Sequence, residues 1–585
     1  MRASFLALAA ASLAFATPAL AGPQEDFEAL TDAYWAWSLE ESPTLASSVG
    51  LRDYDDRLYD YSVAAMDRRA AREAAFLKSL EAIPDAGLDE TSRISKAILA
   101  RSLAESIESN RYGQRLMLFS TYSGWHQSMA GLGSNLSFRE LSDYENYLKR
   151  LAAYPAQNKA ALAVSADALE GGYVLPCVVL DGFEKGIMGV IPADATQSRL
   201  YEPFASDRPT NIAEADWASL QARAKALIDG ELRASYAEHL AWFERDYLPA
   251  CRKEVGISSQ PGGADYYDFR IRQMTTTDLT ADQIHKIGLD EVARIRSEME
   301  TVAKSAGFAT REAFIEELRT NPDYYAKTPE ELMQVVARQL KTIDGMMPTL
   351  FGKLPRLSYG IREIPAEIAE GTTTAYYNPG SPQNGIAGTY YVNTSKLNQR
   401  PLWEVPALSV HEAVPGHHHQ IALQQEIDLP EWRRQMYFTA FVEGWGLYSE
   451  RLGIEMGLYD TPAKDMGRLS YEMWRATRLV VDTGIHSKGW TKQQAIDFMT
   501  DNTALTAANI EAEVNRYISW PGQALAYKIG ELKIRELRAR ASEKLGDRFD
   551  LRAFHDVVLG QGSVPLDVLE AQVDAWIAAE LAGGA

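Results

Sequence analysis

Cysteine and histidine are both scarce in this 585-residue chain, which holds two Cys and nine His. With only Cys177 and Cys251, a zinc site built on Cys ligands is excluded by number. In an oxidising compartment the two could pair and close a long loop; two separately buried thiols are the alternative. Positive charge is also short. Lys and Arg number 59 against 80 Asp and Glu, a formal net charge of −21. That leaves little basic surface to neutralise phosphates and argues against a nucleic-acid partner. The acidic residues are spread through the chain, so they signal solubility and favour neutral or cationic substrates only weakly. Long apolar runs are missing too, so no membrane span is expected. No repeat of fixed period marks a solenoid.

What is present suits a large globular protein. Hydrophobic residues make up 46% and aromatics 10%, enough for a sizeable core, and the length allows several average domains or one large two-lobed body. Residues 1–21 read as an export signal, with Arg2, an apolar stretch from Phe5 to Phe15, and a small-residue cleavage site at Ala19-Leu20-Ala21. No Cys follows that site, which argues against a lipid anchor. The expected mature protein starts near Gly22 and is periplasmic or secreted.

From Glu25 to about Lys253 the spacing of apolar residues is helical, as in the stretches starting at Met66 and at Trp217. Small, turn-forming residues from Ser258 to Asp265 give the best candidate boundary. It divides an N-terminal helical lobe (22–260) from a catalytic lobe (261–585). Helix resumes after Thr280, a suitable cap. Between about Ser358 and Thr394, β-branched and aromatic residues at 372–377 and 388–394 flank a Pro/Gly/Asn loop, which predicts two strands. The expected class is mainly α with a small sheet.

The segment His411-Glu412-Ala413-Val414-Pro415-Gly416-His417-His418-His419-Gln420 carries the chemistry. In an H-E-x-x-H helix the two His lie about 40° apart around the axis and about 6 Å along it. Both can then reach one zinc, and the Glu acts as general base. Here the fourth residue on is Pro415, which binds nothing. On a regular helix His417 would point about 120° away, and His418 would sit about 10 Å along, too far when zinc needs donors at about 2.0–2.1 Å. A distortion is required, and Pro415-Gly416 supplies it: the Pro cannot donate and the Gly tolerates unusual dihedrals. Treated as a bulge within the helix, the pair makes His417 the second ligand, with His418 as alternate. Glu443, among Phe441, Val442 and Trp445, is the expected third ligand, since a carboxylate there needs a cation or a partner. Gly444 and Gly446 let its helix pack close. Glu450, seven residues on, is placed to orient a ligand His. Two His and one Glu leave a fourth position for water, the arrangement of a one-zinc hydrolase.

Further groups lie toward the C-terminus. Arg478 and Asp482 are spaced to pair on one helix face. His486 either donates to a transition state or caps a buried helix end. Arg475, Arg478 or Arg516 could take a substrate carboxylate, which would make the protein an exopeptidase.

The H-E-A-V-P-G-H-H-x-Q segment followed by E-G-W-x-L-Y-x-E resembles the DUF885 family of bacterial proteins of unknown function. That family is similar to the gluzincin peptidases, the helical group that includes thimet oligopeptidase, angiotensin-converting enzyme and the Taq-type carboxypeptidases. The resemblance runs from the Pro43 region to Pro521-Gly-Gln-Ala. It implies a large two-lobed zincin-like fold with a deep cleft and a sheet beside the active-site helix. It also implies a tyrosine facing the zinc for the oxyanion: Tyr517, with Tyr527 as alternate, in a segment that includes Arg516 and Gln523. As in zinc peptidases, the strand with Tyr390, Tyr391 and Asn393 is expected to line the cleft and pair with extended substrate; a purely structural sheet is the alternative. The resulting expectation is an exported zinc metallopeptidase acting on short peptides. A zinc hydrolase of another amide or ester, or a silent zinc- or peptide-binding protein, are its rivals.

Overall fold

A computed structural model of the chain describes residues 22–583, apart from 122, 366–368, 370–372 and 383–384. The expected export signal at 1–21 lies outside the described residues. The protein is mainly helical with one three-stranded sheet. Among the described residues no helix is long and apolar enough to cross a membrane. The stretches starting at Met66 and Trp217 fall in helices Val63–Glu81 and Glu214–Leu227, as their periodicity predicts.

Ten elements surround the candidate site: α1 (Ala281–Ser305), β1 (Tyr359–Glu363), β2 (Ala375–Asn378), β3 (Gly388–Val392), α2 (Val405–Glu412), α3 (His417–Glu426), α4 (Thr439–Leu452), α5 (Pro462–His486), α6 (Ala507–Ser519) and α7 (Ala526–Leu545). Thr280 caps α1 as expected. Its side chain accepts from the Gln283 N–H, and the Gln283 side chain accepts from the Thr280 N–H, a reciprocal cap that satisfies two otherwise open donors. Buried Ile284, Gly288, Ile295 and Met299 form the stripe that α1 lays on α5. At Gly288 an added Cβ would sit 2.7 Å from Val480 Cγ2, so the two helices approach this closely only because the residue is glycine.

The strand order is β1-β3-β2, with β3 parallel to β1 and antiparallel to β2. Two of the strands were legible in the sequence. The third, Tyr-Gly-Ile-Arg-Glu, is mostly solvent-facing, and one glycine with two charges hides its alternation.

Two large apolar bodies make up most of the core. One joins helices between residues 27 and 103 to α4 and α7; the other joins residues 119–255 to the end of α5 and to α6. Neither stops at residue 260. Cys177 and Cys251 are disulfide-bonded, next to a β-bridge between Pro176 and Arg252, which settles the alternative that the sequence left open. A loop of this length gives such a bond a stabilising effect of about 4 kcal/mol.

Charge also holds the helices around the candidate site together. Lys528 on α7 is fully buried, and its ammonium reaches Glu291 on α1, Glu472 on α5 and Glu531 on α7, each at 2.9 Å. Arg294 and Arg468 also pair with Glu472. Burial alone would lower the Lys528 pKa, but these carboxylates raise it above its ordinary value. Removing one member of such a network strands the others in the interior. Lys528→Met should therefore lower unfolding free energy by about 3–5 kcal/mol in urea titrations; a change within about 0.5 kcal/mol would mean the network contributes nothing.

Candidate metal centre

Pro406 sits in the first turn of α2, where its missing N–H costs nothing. The helix then ends at Glu412. The sequence predicted a continuous helix with a bulge; the chain instead leaves the helix and starts a new one. Ala413 has φ −106° and ψ −103°, Gly416 φ −73° and ψ −126°, and the Val414–Pro415 peptide is cis. An added Cβ on Gly416 would lie 2.0 Å from the carbonyl oxygen of His411 and 2.3 Å from that of Val410, so no larger residue fits. The turn is pinned from outside by Trp445, whose Nε1 donates to the Pro415 carbonyl at 2.8 Å. α3 starts at His417, and the restart turns that side chain back toward His411.

Both His rings meet Glu443 from α4. His411 Nε2 lies 3.5 Å and His417 Nε2 3.6 Å from Glu443 Oε2, and the three donor atoms are all within 4.8 Å of one another. Tetrahedral zinc with donors at about 2.0–2.1 Å implies donor separations of about 3.3 Å, so the three can converge on one cation with small adjustments. Gly446 makes room: a Cβ there would lie 2.8 Å from the His411 ring. Gly444 faces the other way, onto Gly530 of α7. Glu450 Oε1 accepts from His411 Nδ1 at 2.8 Å, which fixes the tautomer and leaves Nε2 with its lone pair for a metal. Arg475 holds the same oxygen at 3.3 Å.

The electrostatics suit a cation. Burial would lower the His411 pKa, but Glu443 and Glu450 raise it to about 10, so without a cation Nε2 holds a proton that a metal would displace. Burial would raise the Glu443 carboxyl, but the two imidazoles hold it well below its ordinary range. Glu412 is lifted by burial, partly offset by His417 and His411. Around these groups lies a cavity of about 370 Å³, lined also by β2, Tyr437, Trp474, Arg475, Arg478, Arg516 and Tyr527.

Several expected site residues are elsewhere. His418 is not an alternate ligand. Its Nε2 faces the Leu357 carbonyl at 3.1 Å and must carry the proton, so Nδ1 accepts from the Tyr377 hydroxyl at 2.9 Å; the ring braces the sheet. His486 is fully buried away from the cavity: Nδ1 accepts from the Ile257 N–H at 3.0 Å and Nε2 donates to the Tyr517 carbonyl at 2.9 Å. Burial pushes its pKa down to about 3, so it joins two segments as a neutral ring. Tyr517 is also a strut. Its hydroxyl donates to Glu513 at 2.6 Å and accepts from Trp474 Nε1 and Arg478 Nε at 3.1 and 3.0 Å, and its side chain does not line the cavity. The alternate, Tyr527, does. Asp482 does not pair with Arg478; it accepts from the Tyr267 hydroxyl and the Gly522 N–H, and Arg478 pairs with Glu513 at 2.9 Å.

The strand expectation is corrected too. β3 is the central strand, so its edges are taken by β1 and β2. Tyr390 is fully buried, Tyr391 stacks on Tyr376, and Asn393 caps a turn by donating to the carbonyls of Ala369 and Thr373. The strand that lines the cavity from the sheet's edge is β2, through Ala375, Tyr376 and Tyr377. Gln523 supports Arg516 at 2.9 Å from outside the cavity lining. One residue escaped the sequence reading altogether. Tyr437, in the loop before α4, has an exposed ring, yet its hydroxyl end is withdrawn from water against Glu443, near Tyr527 and Glu412, which raises its pKa. Its position six residues ahead of Glu443 was the only available signal.

Residues 43–573 match the family model described as bacterial protein of unknown function (DUF885). No curated protein matches the chain. Several solved structures resemble it. The crystal structure of "the putative lipoprotein from Colwellia psychrerythraea" has a TM-score of 0.89 and 28% identity, over 95% of this chain and 99% of that one. That of "a putative lipoprotein of unknown function from Shewanella oneidensis" has a TM-score of 0.73 and 20% identity, over 93% and 99%, a likeness of fold alone.

The geometry separates the neighbouring histidines by experiment. After dialysis against trace zinc, His417→Ala should lose its bound metal in elemental analysis while His418→Ala keeps it. Glu450→Gln should weaken zinc affinity about 10–100-fold. Metal loss in His418→Ala alone would contradict this assignment.

Proposed function

We propose that this chain, which belongs to the DUF885 family of bacterial proteins of unknown function, is an exported zinc metallopeptidase of gluzincin type that hydrolyses short peptides. The observation that carries the reading is the convergence of His411, His417 and Glu443 beside Glu412, in a cavity bordered by a strand edge. In this reading the cavity is the floor of a deep cleft in a two-lobed, zincin-like body. The disulfide fits an oxidising compartment, and the Colwellia neighbour, described as a "putative lipoprotein", supports export.

His411, His417 and Glu443 would hold one zinc ion per chain, with a position left for water. Zinc, when bound, makes water nucleophilic near neutral pH and polarises a carbonyl. The remaining roles belong to the chain. Glu412 takes a proton from the attacking water and returns it to the leaving amine. Glu450 keeps His411 in the tautomer that presents Nε2. Tyr437 brings its hydroxyl to the cavity for the oxyanion, the role that the resemblance implied for Tyr517, with Tyr527 as alternate. β2 offers its backbone edge to extended substrate.

Replacing Glu412 by Gln removes the base and keeps the shape. Glu412→Gln should lower kcat on a peptide library by about 10²–10⁴-fold with zinc content unchanged. Undiminished turnover in that variant would sink the mechanism, and absence of any cleavage by zinc-loaded wild type would favour the binding-protein rival.

A further inference from the structure

Three guanidinium groups line the cavity of the metal cluster: Arg475 and Arg478 on α5 and Arg516 on α6. They have two carboxylates between them. Glu513 serves both Arg478, at 2.9 Å, and Arg516, at 3.5 Å. Glu450 serves Arg475, at 3.3 Å, and is shared with His411. In close ion pairs the wall thus sets three guanidinium groups against two carboxylates. Glu412 and Glu404 also act on Arg475, so the open donors of the wall, not a surplus of charge, are what a ligand would fill.

The donors of the wall are unevenly used. Arg478 is only 2% exposed. Its Nε goes to the Tyr517 hydroxyl and its Nη2 to Glu513, while its buried Nη1 has no partner among the described residues. A buried guanidinium donor left open is costly, and a carboxylate is the group that best fills it. Tyr527 stands against this guanidinium, with Arg478 Cζ 4.3 Å from its ring centroid. Its hydroxyl accepts from Arg516 Nη2 at 3.0 Å, which leaves the O–H proton available to a ligand. Tyr517, Glu513 and Trp474 fix the Arg478 plane from behind.

The wall is also close to the cluster. Arg475 is linked to the His411 ring through the single carboxylate of Glu450. On the other side, the hydroxyl end of Tyr437 lies against Glu443 and near Tyr527. A peptide whose carboxylate sits on Arg478 and Tyr527 therefore has its terminal peptide bonds near the metal ligands.

We propose that Arg478 Nη1 and the Tyr527 hydroxyl receive the C-terminal carboxylate of the peptide, with Arg516 supplying charge, so that the protein removes residues from the carboxyl end. This rests on the peptidase reading above. An acidic side chain carries the same chemistry, so the test separates the two sources. Binding of N-acetylated tetra-alanine is measured by calorimetry on zinc-loaded Glu412→Gln, which does not depend on turnover. The free acid should bind at least about tenfold more tightly than its C-terminal amide. An amide ending in glutamate should bind as weakly as the plain amide. Tyr527→Phe, a mild change, should weaken the acid several-fold and leave the amide unaltered, and Arg478→Lys should do the same more strongly. Equal binding of acid and amide overturns the proposal, as does recovery by the glutamate amide, which would give the wall to acidic side chains. Acid-selective binding without cleavage by wild type would refute the peptidase reading and leave the carboxylate site standing.

Discussion

A carboxylate set among Phe441, Val442 and Trp445 must be compensated, and much of the site follows from how Glu443 is compensated. Two imidazoles face it within hydrogen-bonding to ion-pair range, and they outweigh the cost of its burial. One imidazole comes from the end of α2, the other from the start of α3. Two helix termini have to meet a third helix at one point, and this explains why glycine recurs: Gly416 in the turn, Gly446 under the His411 ring, and Gly444 against Gly530. Each is a place where a Cβ would push one of the partners away.

The turn itself is a compromise between two demands. His411 and Glu412 need the last turn of a helix to aim them into the cavity, and His417 needs to point at the same place from only six residues on. No regular helix does this. Ending the helix and restarting it frees His417 from the angle that α2 would impose. The restart also sends the next two histidines elsewhere: His418 to Tyr377 and Leu357, His419 against Phe351. Three adjacent residues of one type thus have three different surroundings.

The sequence made the acidic and imidazole groups of the cluster legible because their signals are local. A histidine beside a glutamate, a Pro-Gly interruption, and a glutamate in an apolar helix can each be read without knowing the fold. Glu450 was legible for the same reason, being two turns from Glu443 on one face. What was misplaced depends on tertiary register. Whether α2 bulges or breaks is decided by Trp445, thirty residues after Pro415. Whether β3 is an edge is decided by β1, whose pattern is nearly silent. Tyr517 and Tyr527 sit in one motif, and only the packing of α6 against α5 shows that the first points to Glu513 and the second to the cavity. His486 was indistinguishable from a catalytic histidine until both its ring nitrogens were seen to hold backbone groups.

Three of the misplaced residues have a common position: one layer behind the cavity. Tyr517 holds Arg478 and Glu513, His486 holds the carbonyl of Tyr517, and Asp482 holds the turn at Gly522 just before Tyr527. All are fully buried polar groups with their bonds satisfied by protein. Such groups gain little net stability over apolar packing, but they fix directions, since each side chain has one orientation that satisfies its partners. The guanidinium of Arg478 is held at two of its three nitrogens by this layer and, among the described residues, left open at the third. The strongest signatures of chemistry near the C-terminus of the sequence therefore mark the frame of the cavity wall, and the groups proposed to meet a ligand are the ones the frame leaves unfilled.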